Sequence, residues 1–207
     1  MGARETARPW IQQYAAWTDP NPKIGSDTLV SMFNRVVATT PKNPATWFMG
    51  KTLTYEELNA KVSRFASQLY GLGVRAGDRV AVALPNCPQH IIAVTAILRL
   101  GATAVEHNPL YTAYELRSQF LDHGAKVAVV FDRQAETFTT LTEQTPLETV
   151  ISVNMIEEMP WTTKAVLSIP IGPIKSKRKE LSTPAPGTIS FSSLIATPQQ
   201  AVPTPQV

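Results

Sequence analysis

At 207 residues, 43% of them hydrophobic and 17% charged, the chain carries enough apolar material for a real core. Its net charge of +3 comes from one short stretch, residues 164–180, where Lys164, Lys175, Lys177, Arg178 and Lys179 face only Glu180; no basic face marks the rest, which excludes a nucleic-acid partner. Cys87 is the single cysteine, which excludes an intrachain disulfide and a cysteine-based metal site and suits a reducing compartment.

In chain order, Met1 to Pro20 holds Arg4, Glu5, Arg8 and Asp19 and no apolar run. No stretch approaches the roughly 18–20 apolar residues of a spanning helix. The expected location is cytoplasmic. Residues 28–39 place Leu29, Met32, Phe33, Val36 and Val37 at spacings of three and four, a helix with one apolar stripe closed by Pro41 and Pro44. Ala45 to Met49, a turn at Gly50-Lys51, and Thr52-Leu53 read as a short hairpin. Thr54 with Glu57 forms a capping box for a helix lined by Tyr55, Leu58, Val62, Phe65 and Leu69 and stopped at Gly71 and Gly73.

An alternating pattern follows. Arg79 to Leu84 is a strand, Gln89 to Leu100 a nearly all-apolar helix, and Thr103 to Glu106 a strand. Thr112 and Glu115 cap a helix that Gly124 ends; Lys126 to Phe131 is a strand, 134–144 a helix, and Thr149 to Val153 a fourth strand. Continuous apolar strands between helices predict an α/β fold with a parallel sheet flanked by helices. Beyond about residue 155 the order fades, and residues 182–207, rich in Ser, Thr, Pro and Gln and without charge, read as a disordered linker. The expected organisation is an arm over 1–26, a helix plus hairpin over 27–53, an α/β sheet unit over 54–155, and a basic-apolar segment with a Pro-rich tail over 156–207.

Several motifs fail on inspection. Gly50-Lys51-Thr52 resembles the end of a phosphate-binding loop, but Ala45 stands where that loop needs glycine, and the tripeptide joins two strands. Gly71, Gly73 and Gly77 follow a helix and precede a strand, the reverse of a dinucleotide fingerprint. His90, His107 and His123 have no metal or triad spacing; His123 reads as a helix-end residue where positive charge helps. Cys87 reads as an idle thiol. His107, however, opens the loop His107-Asn108-Pro109-Leu110-Tyr111-Thr112 at the carboxyl end of a strand, where open parallel sheets gather ligands. His107, Asn108, Tyr111 and Thr112 are therefore the candidate ligand-side residues, against a reading of turn plus helix cap. Lys175, Lys177, Arg178 and Lys179, beside the apolar residues 165–174, form a candidate surface for the anionic inner face of a membrane, against a solvated basic linker.

Leu53-Thr54-Tyr55-Glu56-Glu57-Leu58, Gly77-Asp78-Arg79-Val80, Leu84-Pro85-Asn86, Leu98-Arg99-Leu100-Gly101-Ala102 and Asn108-Pro109-Leu110-Tyr111-Thr112 recur in this order in the adenylate-forming, AMP-binding superfamily. The last, followed by Glu115-Leu116, most resembles bacterial long-chain fatty-acid–CoA ligases; the resemblance covers roughly residues 25–155. It implies a ligase using ATP, Mg²⁺ and coenzyme A: a fatty-acid carboxylate attacks the α-phosphate to give an acyl-adenylate, and the thiol then displaces AMP. It also implies phosphate donors on a Tyr-Thr-Ser-Gly-Thr-Thr-Gly type of loop, later aspartate and arginine motifs, and a far carboxyl-terminal lysine. None stands in this sequence. The expectation is therefore the amino-terminal part of such a ligase, with no catalytic, cofactor-binding or metal residue of its own, no tight ATP binding and no activity alone. The alternatives are a stand-alone α/β binding module and a nicotinamide-nucleotide-binding oxidoreductase domain.

Overall fold

Residues 8–23 and 25–198 are described in the computed structural model. Side-chain caps start three of the α-helices, two of them the expected ones at Thr54 and Thr112. Thr28 caps α1 (Leu29–Thr39) by accepting from the Ser31 amide at 3.1 Å, with Ser31 reciprocating. Thr54 and Glu57 form the same reciprocal box on α2 (Tyr55–Gly71), and Thr112 and Glu115 on α4 (Ala113–His123). Gly124 closes α4 at φ +65°, left-handed backbone that an L side chain resists. Cys87 and Pro88 open α3 (Pro88–Arg99).

The hairpin of β1 (Pro44–Phe48) and β2 (Lys51–Thr54) turns at Met49-Gly50, one residue before the expected Gly50-Lys51. Both turn residues have positive φ, +50° and +93°, as a two-residue hairpin turn demands, and this releases Lys51 into the strand.

The main sheet is five-stranded and wholly parallel: β3 (Arg79–Ala83), β4 (Thr103–Glu106), β5 (Val127–Phe131), β6 (Thr149–Val153) and β7 (Ile189–Ser190), ordered β4-β3-β5-β6-β7. Period-two alternation splits its side chains between two cores. Val80, Val82, Val127, Val129, Ile151 and Val153 face α2, α3 and α8 (Phe191–Ala196). Ala81, Ala83, Ala128, Val130 and Val150 face α4 and α5 (Ala135–Leu141). Three alanines on that second face leave room for Phe120 and Phe138, both fully buried and edge-to-face at 5.9 Å.

The end of the described chain departs from expectation. Where residues 182–207 read as a linker, Ile189 and Ser190 pair with Ile151 and Ser152 as the fifth strand, and Phe191 is buried against Phe65 at 4.5 Å. Composition hid this because one aromatic and a few aliphatic residues carry the packing among many Ser and Thr. Residues 199–207, the rest of the expected tail, lie outside the described residues. Residues 161–181 are also helical, as α6 (Trp161–Ser168) and α7 (Gly172–Leu181), with Pro170 between them and Pro173 in the first turn of α7, where a missing amide costs nothing. No helix among the described residues is long and apolar enough to cross a membrane.

Candidate functional site

The residues that follow a parallel strand start where its hydrogen-bond ladder stops, and their side chains line the carboxyl edge. The His107 amide donates to the Val82 carbonyl at 2.8 Å, which carries the ladder one step past β4 and fixes the ring inside the fold. His107 is 6% exposed, and its ring stacks on Phe120 at 5.2 Å and lies 5.1 Å from that of His123. Its Nδ1 meets the Gln119 oxygen at 2.8 Å; that oxygen accepts only, so the proton sits on Nδ1. The Nδ1 of His123 instead accepts from the Ala125 amide at 3.0 Å. Burial lowers the pKa of His107, and burial together with repulsion from His107 lowers that of His123 to about 4. Both rings are neutral near pH 7, so His123 contributes no positive charge to its helix end, contrary to the sequence reading.

The other loop candidates are spent locally. Asn108 accepts from the Leu110 amide at 2.9 Å in a side-chain turn, and Thr112 caps α4. Tyr111 is half-buried against the α4–α5 core. Leu110 and Tyr114 are 82% and 89% exposed. The loop thus gathers His107 and Tyr111 inward and leaves an apolar rim, and among the described residues the buried Nε2 of His107 has no hydrogen-bond partner.

A larger feature opens at the carboxyl ends of β5 and β6: a cavity of about 690 Å³ between the sheet edge and the α6–α7 pair. Asp132 directly follows β5, Ser152 lies within β6, and Asn154 follows it; Thr188 comes from the turn before β7. Leu167, Ile169 and Pro170 form an apolar wall, and Lys175, Arg178 and Lys179 approach from α7. Lys177 pairs with Glu180 at 3.0 Å instead. The four basic residues named from the sequence therefore divide, three on the cavity and one in a surface ion pair. Asp132 is 5% exposed; burial raises its carboxyl against the Ser182 hydroxyl, which donates to its Oδ2, and nearby amides. Its Oδ1 and the buried Thr183 Oγ1 make no full hydrogen bond among the described residues. Sequence reasoning considered the strand-end rule only for β4; Asp132 and Asn154, immediately after β5 and β6, carry the same signal.

Glu158 was not singled out either. It is 4% exposed in the turn after β6, and its two oxygens accept from Lys51 at 2.9 Å and Lys61 at 2.5 Å. Burial works to raise this carboxyl, and the two ammonium groups more than offset it, so it lies below the ordinary range. Sequence separations of 107 and 97 residues divide Glu158 from Lys51 and Lys61, which is why no local pattern announces the clasp. Cys87, buried at the head of α3, has its thiol pushed up to about 11 by burial and stays unreactive, as expected. No group of three His, Cys, Asp or Glu that could hold a metal ion occurs among the described residues.

The AMP-binding enzyme family matches residues 33–193. A long-chain-fatty-acid–CoA ligase of Escherichia coli O6:H1 is 34% identical over 190 residues, 90% of this chain and 33% of that protein. One of Bacillus subtilis is 34% identical over 128 residues, 62% of this chain and 23% of that protein. The chain thus spans a third or less of the length of the curated relatives it matches. Among solved structures, an anthranilate CoA ligase in complex with anthranoyl-AMP superposes with a TM-score of 0.67 at 19% identity, covering 86% of this chain and 29% of that one. A long-chain-fatty-acid-CoA ligase from Archaeoglobus fulgidus gives 0.59 at 24% identity, covering 64% and 28%. At these identities the structural likeness speaks for the fold.

Proposed function

Since the chain belongs to the AMP-binding enzyme family, we propose that it forms the amino-terminal part of a ligase that activates a long-chain fatty acid with ATP and Mg²⁺ and transfers it to coenzyme A. The observation that carries this reading is the 34% identity to a long-chain-fatty-acid–CoA ligase across 90% of the chain. ATP supplies the leaving group: adenylation converts a carboxylate oxygen that departs poorly into AMP, which the thiol displaces. The donors that neutralise the phosphates in that chemistry have no counterpart among the motifs of this sequence. The contribution of this chain is scaffolding at the carboxyl edge. His107, Asn108, Tyr111 and Thr112 shape one margin of that edge, and the α6–α7 pair shapes the other.

The α6–α7 pair also supports peripheral contact with an anionic bilayer, the source of a long-chain acid. Trp161, Val166, Ile169 and Ile171 are 79%, 53%, 41% and 55% exposed, next to the cations of α7. Two measurements test the proposal. Pyrophosphate release by the 207-residue chain with a long-chain acid, ATP and Mg²⁺ should stay at background; turnover would show that the chain is catalytic by itself. The genomic DNA beyond the Val207 codon should encode, in one frame, a Ser/Thr/Gly-rich phosphate loop; its absence from all three frames would remove the ligase reading.

A further inference from the structure

The cavity beside α7 joins two kinds of surface that one ligand would have to satisfy together. Its outer margin is cationic, with Lys175, Arg178 and Lys179 exposed on α7. Its lining includes Asp132 and Thr183, whose buried Oδ1, which only accepts when ionised, and Oγ1, which can do either, lack full hydrogen bonds among the described residues. Ile169 belongs both to the cavity wall and to the exposed apolar set of Trp161, Val166 and Ile171. An anion without hydroxyls answers the margin and leaves those two oxygens unpaired. A soluble polyol answers the oxygens and leaves the apolar residues in water.

We propose that this cavity is a headgroup site for a polyol-phosphate lipid, of which phosphatidylglycerol is the simplest. Its phosphate lies on Lys175, Arg178 and Lys179, its terminal hydroxyls pair with Asp132 and Thr183, and Trp161 and Ile171 enter the acyl layer beside it. The site rests on the α6–α7 pair being a membrane-facing surface, and it adds selectivity among anionic lipids to that contact. Asp132 is suited to the hydroxyl because it sits at the end of β5, held by the Ser182 hydroxyl on its other oxygen. Lys177 takes no part; Glu180 occupies it.

The experiment is sedimentation of the 207-residue chain with phosphatidylcholine vesicles that carry an equal mole fraction of either phosphatidylglycerol or phosphatidic acid, which has the phosphate without the glycerol hydroxyls. Binding to phosphatidylglycerol vesicles should be tighter by about fivefold, the worth of a net hydrogen bond, although phosphatidic acid carries at least as much charge. Thr183→Val should erase most of that preference and leave phosphatidic acid binding in place. Lys175→Glu with Arg178→Glu should weaken both by at least about tenfold. Free glycerol 1-phosphate should not release the protein from vesicles. Equal binding to both anionic vesicles, or a preference for phosphatidic acid, would overturn the headgroup site while the membrane contact stands. Binding to neither would overturn both. Release by glycerol 1-phosphate would assign the cavity to a soluble ligand and overturn the lipid.

Discussion

Glu158 ties distant parts of the fold together, because it closes the hairpin and α2 onto the turn after β6 through Lys51 and Lys61. The carboxylate is 4% exposed, while the lysines keep 33% and 22% of their side-chain surface in water, so solvent screens the pair on one side. Removing one partner of a fully buried pair costs about 3–5 kcal/mol, and exposed pairs are worth under about 1. Glu158→Ala should therefore destabilise by about 1–3 kcal/mol in urea unfolding. Lys61→Met should cost more than Lys51→Met, since Lys61 is the less exposed; the reverse order would place the weight on the hairpin. His123 gives a second residue-scale prediction. Its folded pKa of about 4 lies below the ordinary histidine value of 6.5, so protons favour the unfolded chain. The stability it confers is complete above about pH 6.5 and is lost as pH falls toward 4. Acidification lowers the contribution of Glu158 as well, at still lower pH. In His123→Gln the slope of stability against pH across that window should flatten; an unchanged slope would assign the acid sensitivity elsewhere.

At the scale of elements, α8 is the point where composition and structure part. Phe191→Ala should cost about 3–5 kcal/mol, the usual figure for a buried phenylalanine, since its ring is 1% exposed and 4.5 Å from that of Phe65. A change under about 0.5 kcal/mol in thermal or urea unfolding would return residues 182–198 to the status of a linker. The helices most legible from sequence had more than one independent signal each. Thr54 with Glu57 and Thr112 with Glu115 mark starts, glycines mark ends, and apolar spacing fills the interior. β7 has two residues and no such pattern; it exists because Ile151 and Ser152 at the edge of β6 offer unpaired amide and carbonyl groups that Ile189 and Ser190 satisfy. The site divides the same way. His107 was legible because it directly follows a strand, and the local roles of Asn108 and Thr112 were legible as turn and cap. The cavity at Asp132, Ser152 and Thr188 was not, because α6 and α7 close it from a stretch whose prolines masked two helices.

The whole molecule is uneven in how it covers its apolar surface. From α2 to β6 most large apolar side chains are buried between the sheet and its helices, with Ile91, Leu110, Tyr114 and Leu121 the exposed exceptions. On α1 none is: Leu29 and Met32 are 70% and 46% exposed, and Trp47 on β1 is 74% exposed, while Phe33 leans on Tyr55 and under Arg99. Among the described strands β1 and β2 pair only with each other, so the hairpin keeps free edges as well. Burying a large apolar side chain is worth about 1.5–3 kcal/mol, which residues 27–53 leave unrealised at several positions. We therefore predict that this face, unlike the sheet core, binds a hydrophobic dye in the folded chain. Leu29→Gln with Trp47→Thr should abolish most of the dye signal while changing stability by no more than about 0.5 kcal/mol per site. Phe33→Ala, one turn further along the same helix, should cost more than either, because its ring ties α1 to α2 and α3. Dye binding that survives the double substitution would move the exposed patch to the α6–α7 pair. A large loss of stability from it would mean that Leu29 and Trp47 are covered in solution.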